Sequence, residues 1–211
     1  MDRDRIETTA LAIADEHGCH SVILYGSRVR GDVDDSSDVD VLLIRDGGPS
    51  LRDSRVIDGI HFDVFVYPRD AFAKIDPPLL RILGGQALRE RDGLATALLD
   101  RVRERFEKGP DPLPADDRTA RIAWAYKMLD RIRSNAGIEG DYRRSELVVQ
   151  ALEDYFVLRA RWYRGPKVAF PWLLAHDGAA HRAFEASTRP TAGQDTLAAL
   201  VRAVYGELPA R

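Results

Sequence analysis

The apolar segments of this 211-residue chain change character once along its length, and that change limits what the chain can fold into. In the first half, short apolar runs of strand length alternate with helical segments, whereas the second half carries apolar residues at helical spacing only. The runs of strand length are 21–25, 38–44, 60–66 and 86–90. The helical patterns cover 2–17, 69–75, 94–107, 118–136, 142–164, 167–175, 179–187 and 194–206. Between the two halves, residues 108–117 hold three prolines and little apolar content, which is typical of a linker.

These patterns predict an α+β protein of two domains. We expect residues 1–110 to form a small mixed β-sheet with flanking helices, and residues 115–211 to form an all-α helical bundle. The composition, 45% hydrophobic and 31% charged, is ordinary for a globular chain of this size.

Several classes of protein are disfavoured by the composition. A formal net charge of −3 gives the whole chain no attraction to nucleic acid or to an anionic membrane. No apolar run approaches the roughly 20 residues that span a bilayer, and the charged N-terminus lacks the apolar core of a signal peptide. The single cysteine, Cys19, excludes an internal disulfide framework and favours the reducing cytoplasm.

Two aspartates open the apolar run Val41–Ile44. Asp38 and Asp40 are two residues apart, so a strand places both side chains on one face, with their bases about 6.5–7 Å apart. Ionised carboxylates among aliphatic residues cost several kcal/mol unless they are paired, hydrogen-bonded or bound to metal. Asp63, in "HFDVF", is a third carboxylate inside an apolar strand. Three such groups on neighbouring strands suit a site for two Mg²⁺ ions.

The residues before the aspartates favour phosphate binding. Gly26-Ser27 follows the first predicted strand, and glycine lets a backbone approach a phosphate closely. The Ser27 hydroxyl could add a hydrogen bond or reach the metal, and a helix beginning there would present free N–H groups to an anion. Arg28 and Arg30 are near enough in sequence to neutralise a polyphosphate.

The stretch "LYGSRVRGDVDDSSDVDVLLI" (24–44) resembles the signature of the nucleotidyltransferase superfamily related to DNA polymerase β. That signature is Gly-Ser, a spacer and Asp-x-Asp between apolar residues, and this version is most similar to the minimal and the antibiotic-modifying, kanamycin- or lincosamide-type, bacterial branches. The resemblance covers residues 20–66 well and extends towards 107. It implies two Mg²⁺ held by Asp38, Asp40 and Asp63, with Gly26-Ser27 at the triphosphate of ATP or another NTP. It also implies transfer of a nucleoside monophosphate to an acceptor, with release of pyrophosphate.

The helical half is similar in length, order and texture to the helical domains of the kanamycin- and lincosamide-type enzymes. In such enzymes a carboxylate on that domain can act as base toward an acceptor hydroxyl. Here Glu146 is the candidate, on one predicted helix face with Gln150 and Glu153. The alternative, a solvated helix face neutralised by Arg143 and Arg159, remains the commoner explanation of such a pattern.

We therefore predict an enzyme that moves AMP from ATP to a hydroxyl of a small molecule, with antibiotics among the candidate acceptors. Two alternatives stay open: an antitoxin-like transferase that adenylylates a partner protein, and a non-catalytic nucleotide-sensing module. The acidic first half disfavours a polynucleotide acceptor, and the mildly basic second half weakens the case for a polycationic aminoglycoside. The acceptor, the preferred NTP and the choice between monomer and homodimer are left open by the sequence.

Overall fold

The computed structural model describes residues 2–30, 38–135 and 137–207, without the side chain of Arg30. The chain forms two compact units, Met1–Lys108 and Gly109–Arg211. The first unit contains α1 (Arg3–Glu16), β1 (Ser21–Tyr25), α2 (Ser27–Arg30), β2 (Val39–Arg45), β3 (Leu51–Ile57), β4 (Ile60–Pro68), β5 (Gln86–Arg89) and α3 (Leu94–Lys108). The second contains α4 (Ala115–Ser134), α5 (Ile138–Val157), α6 (Pro166–His176), α7 (Gly178–Thr188) and α8 (Gln194–Tyr205). The predicted polar loop at 32–37 lies outside the described residues.

The first unit is built on one five-stranded sheet. Its strand order is β3-β4-β2-β1-β5, with β2 parallel to β4 and the other neighbouring pairs antiparallel. The mixed sheet with helices, and the helical part that follows, confirm the predicted α+β fold class.

Strand β2 lies at the centre of the sheet, and its sequence reflects burial on both faces. Val39, Val41 and Leu43 are fully buried in a core that includes Ile6 and Ile13 of α1. The alternate residues Leu42 and Ile44 are also fully buried, on the opposite face. On that face α3 and a 3₁₀ segment, Pro77–Ile82, lie against the neighbouring β1. Asp40 is therefore a carboxylate placed in an otherwise apolar central strand.

Strand β3 is the element that the sequence prediction missed. It is an edge strand whose alternate residues are exposed, so its stretch "LRDSRVI" is too polar to stand out as an apolar run. A two-residue loop joins it to β4, and both loop residues, Asp58 and Gly59, have positive φ, at 50° and 77°. Asp-Gly is the residue pair that such a hairpin turn prefers.

Two helix predictions are corrected by the structure. The segment predicted as a helix at 69–75 is a short 3₁₀ turn, Arg69–Phe72, because Pro68 and the Pro77-Pro78 pair leave little room for a longer helix. Helix α5 begins at Ile138 and ends at Val157, four residues before its predicted start and seven before its predicted end.

The helices bury one face and expose the other. In α4, Ile122, Ala125 and Leu129 are buried, whereas Arg118 and Arg133 are exposed.

Nowhere in the described ranges does a helix combine the length and apolar character that crossing a bilayer would need.

A buried carboxylate joins three helices of the second unit. Asp154 of α5 is fully buried and accepts hydrogen bonds from Arg121 of α4, from Gln150 at 3.0 Å and from Tyr205 of α8 at 2.7 Å. Burial and the adjacent Asp154 raise the pKa of the Tyr205 hydroxyl, which keeps it a hydrogen-bond donor. This network sets how α4, α5 and α8 meet around the helical core.

Replacing Asp154 with alanine should lower the free energy of unfolding by about 2–4 kcal/mol, because the change leaves the buried Tyr205 and the partly buried Arg121 and Gln150 without their acceptor. Urea denaturation followed by circular dichroism measures this loss. Asp130→Ala is the matched control, since Asp130 is an exposed carboxylate of α4 that pairs with Arg133. A loss no larger for Asp154→Ala than for this control would contradict the role of the network.

Candidate active site on the central strands

The sheet register places four polar side chains in one row across its strands. Tyr25 of β1 pairs with Asp40 of β2, Asp40 pairs with Asp63 of β4, and Asp63 pairs with Ser54 of β3. Directly paired residues project from the same face, and neighbouring strands lie about 4.8 Å apart. Two of the predicted site residues, Asp40 and Asp63, are therefore brought side by side.

The turn after β1 is shaped around the Asp40 carboxylate. Gly26 has a φ of +87°, and a Cβ added to it would lie 2.1 Å from Oδ2 of Asp40. Any other residue would have to displace that carboxylate, and its backbone would also be strained. The glycine of the Gly-Ser pair is thus required by its contact with Asp40.

Tyr25 is a member of the row that the sequence does not single out, because it is the last residue of an apolar strand. Its ring is buried, and its hydroxyl has no hydrogen-bond partner within the described part of the chain. Burial raises the pKa of Tyr25 most; the nearby Arg81 lowers it, and Asp40 and Asp63 raise it. The net effect is upward, so the phenol stays protonated beside two carboxylates. Such an orphaned buried polar atom marks a place where a water or ligand oxygen would be accommodated.

Arg81, another residue not singled out from sequence, brings positive charge to this face of the sheet. Its guanidinium lies 3.8 Å from the centroid of the Phe65 ring, and its Nη2 donates a 2.9 Å hydrogen bond to the hydroxyl of Tyr67. The ring and the hydroxyl together fix the position of the cation.

Asp63 is engaged by an arginine of the edge strand. Arg52 of β3 donates from Nε to Oδ1 at 2.6 Å and from Nη2 to Oδ2 at 2.9 Å. This hydrogen-bonded contact raises the pKa of Arg52. No feature of "LRDSRVI" alone predicts the pair, because it depends on the register between β3 and β4.

The other residues predicted to bind nucleotide or metal are not members of the row. Asp38 is exposed and precedes the first residue of β2, while Ser27 and Arg28 begin α2 directly after Gly26 and are half-buried. Arg30 ends α2, and its side chain is outside the described part. In the ranges 2–30, 38–135 and 137–207, no three His, Cys, Asp or Glu side chains are arranged to hold a metal ion. Asp38, Asp40 and Asp63 thus do not form a ready-made cluster of three.

The donor chemistry of the row nevertheless fits Mg²⁺. Asp40 and Asp63 provide hard oxygen donors on adjacent strands, which is the donor type that this cation prefers. Gly26, which has no side chain, leaves room beside Oδ2 of Asp40. Asp40 and Asp63 are the residues that could hold the cation.

Glu146, the candidate base, lies in the second unit, on the exposed face of α5. The two arginines expected beside it have other partners. Arg143 pairs with Glu139 at 2.7 Å, and Arg159 donates to backbone carbonyls of Tyr155, Ala203 and Val204. Glu146 is thus an exposed carboxylate, as both the base and the solvated-face explanations allow.

Two glycines with similar positive φ angles allow the contact at Gly26 to be tested. Gly26→Ala should lower the free energy of unfolding by about 1–3 kcal/mol, because it adds both positive-φ strain and a clash with Asp40. Gly59→Ala, where φ is +77° and no atom lies within 4 Å of the added Cβ, should show the strain alone. Thermal and urea unfolding of both variants measures the difference, and equal losses would contradict the close packing of Gly26 on Asp40.

Comparison with protein families places the row inside a recognised domain. Residues 7–80 match the family model described as "Nucleotidyltransferase domain". The matched segment runs from α1 to the 3₁₀ segment Pro77–Ile82 and contains Gly26, Asp40 and Asp63. A search of the curated proteins gave no match.

Among solved structures, the chain is similar to a nucleotidyltransferase-like protein from Exiguobacterium sibiricum 255-15. The two are 12% identical, with a TM-score of 0.45, and the alignment covers 94% of this chain and 73% of that one. Over residues 7–80, and so over the whole of the site row, this chain matches the nucleotidyltransferase domain.

Proposed function

We propose that this protein is a Mg²⁺-dependent nucleotidyltransferase. It transfers a nucleoside monophosphate, AMP from ATP, to a hydroxyl of a small acceptor and releases pyrophosphate. The observation that carries the proposal is the pairing of Asp40 with Asp63 on one face of the sheet, with Gly26 packed against Asp40, inside a segment that matches the nucleotidyltransferase domain.

In this proposal the triphosphate binds at the turn after β1. The backbone of Gly26 and the hydroxyl of Ser27 contact the phosphates, and Arg28 and Arg30 offset their charge. The position of the turn supports this assignment, because Gly26 brings the backbone next to the Asp40 carboxylate. A phosphate at the turn would then lie beside the residues that hold the metal.

Asp40 and Asp63, with Asp38 as the third carboxylate, are the proposed ligands of two Mg²⁺ ions. When bound, these ions would neutralise charge on the reacting phosphates and lower the pKa of the acceptor hydroxyl. The acceptor oxygen forms a bond to the α-phosphorus, and the bond from that phosphorus to the pyrophosphate oxygen breaks. The protein contributes chiefly by positioning the two reactants and by electrostatics.

The acceptor proton requires a base. Glu146 is our candidate, because it is an exposed carboxylate on the helical domain that resembles those of the kanamycin- and lincosamide-type enzymes. We propose a small hydroxylated acceptor, with antibiotics among the classes to be tested. We place the enzyme in the cytoplasm, since its only cysteine, Cys19, is an unpaired and buried thiol.

Asp40→Asn should abolish Mg²⁺-dependent pyrophosphate release, because it removes the charged donor at the centre of the row. The assay incubates the protein with labelled ATP, Mg²⁺ and a panel of small acceptors, and reads pyrophosphate and product mass. Asp58→Asn is the control: it also removes one carboxylate from the first unit, at a loop position whose positive φ asparagine tolerates.

Wild-type turnover by Asp40→Asn, or activity independent of a divalent cation, would contradict the assignment. A protein that binds Mg-ATP but releases no pyrophosphate with any small acceptor would instead favour adenylylation of a partner protein or nucleotide sensing.

Glu146→Gln should lower turnover about 10²–10⁴-fold, the usual effect of removing a general base, while leaving nucleotide affinity unchanged. Glu139→Gln is a matched control, because Glu139 is an exposed carboxylate two turns earlier on the same helix. Equal turnover in the two variants would remove Glu146 as the base without affecting the transferase proposal.

A further inference from the structure

The ion pair between Arg52 and Asp63 occupies the carboxylate that the proposed function needs for a cation. Each carboxylate oxygen of Asp63 accepts one hydrogen bond, from Nε at 2.6 Å and from Nη2 at 2.9 Å. This two-pronged geometry is the strong form of an arginine–carboxylate contact. The Asp63 side chain is only 15% exposed, whereas the Arg52 side chain is 61% exposed. The arginine therefore covers Asp63 from the solvent side and could move away without disturbing the core.

The position of Arg52 is set by the sheet. Arg52 lies directly opposite Phe65 in the β3–β4 register, two residues along each strand from the Ser54–Asp63 pair and on the same face. Its guanidinium lies 5.3 Å from the centroid of the Phe65 ring. Cross-strand pairing and the ring thus direct the guanidinium diagonally onto Asp63.

A second arginine on the same strand serves a different purpose. Arg55 projects from the other face of β3, where it contacts Asp53 and donates to Glu16 of α1 at 2.7 Å. That arrangement ties α1 to the edge of the sheet. Arg52, by contrast, contacts Asp63 and Phe65 of β4, the strand to which β3 is already joined by its hydrogen-bond ladder. Holding two elements together therefore does not account for Arg52.

We propose that Arg52 is an internal competitor for the divalent cation at Asp63. It compensates the charge of Asp63 when no cation is bound, and it leaves the carboxylate when a cation binds. The guanidinium occupies both oxygens of Asp63 and the cation would need at least one of them, so each must weaken the binding of the other by the same factor. Arg52 thereby lowers the affinity of the row for the cation alone. This inference rests on the proposed function, because it assumes that Asp63 is a metal ligand.

The test measures binding of Mn²⁺ alone to the full chain, by the loss of the free-ion signal in electron paramagnetic resonance. Arg52→Gln should tighten Mn²⁺ binding by about 3- to 10-fold, the range expected for a partly exposed two-pronged ion pair. Arg52→Lys keeps the charge but loses the planar fork, so its affinity should fall between those of the wild type and Arg52→Gln. Arg55→Gln removes an equal charge from the other face and should leave affinity unchanged. In an Asp63→Asn background, Arg52→Gln should have no effect.

The outcomes separate this proposal from the one on which it rests. Equal Mn²⁺ affinity in the wild type and Arg52→Gln, with weaker binding in Asp63→Asn, would overturn the role of Arg52 and keep the metal site. Equal tightening by Arg52→Gln and Arg55→Gln would also overturn it, since a general charge effect would then suffice. Binding that Asp63→Asn does not weaken would remove Asp63 as a ligand, and the competitor role with it. Circular dichroism of each variant confirms that the fold is kept.

Discussion

The parallel pairing of β2 with β4 is the constraint on which the candidate site depends. It sets Asp40 opposite Asp63 in the interior of the sheet, where carboxylates are costly unless their charge is compensated. A shift of one residue between the two strands would move one carboxylate to the opposite face, among Val41, Phe62 and Val64. The apolar residues of β2 and β4 form the core, and by setting the register between the two strands they also determine which side chains lie together in the row.

The residues around the row offset the free-energy cost of its two carboxylates in different ways. Gly26 makes room for the Asp40 carboxylate, and Arg52 binds both oxygens of Asp63. Arg81 adds a cation on the same face, and the Tyr25 hydroxyl, which has no partner among the described residues, remains a protonated phenol beside the carboxylates. The row therefore combines two carboxylates, two arginines and a protonated phenol on one face of the sheet.

Sequence predicts the parts of this fold that depend on local pattern. The strands of Val41 and Val64 are mostly apolar segments of strand length, and the helical half repeats its apolar residues at helical spacing. The sequence does not predict edge strand β3, because every second residue is exposed and the segment is too polar to form an apolar run. The Asp58-Gly59 pair that follows it is nevertheless a hairpin signal from which the strand could be predicted. Gly26 and Asp40 were found because their motif is contiguous. Arg52 could not be found from the sequence, because its contact with Asp63 depends on the register between β3 and β4, which only the folded sheet defines.

The most direct test of the account is a crystal structure of the protein with Mn²⁺ and a non-hydrolysable ATP analogue, using the anomalous signal of manganese. We expect an anomalous peak at the carboxylates of Asp40 and Asp63, with the triphosphate against Gly26 and Ser27. A nucleotide and metal bound elsewhere, with Asp63 still held by Arg52, would contradict it.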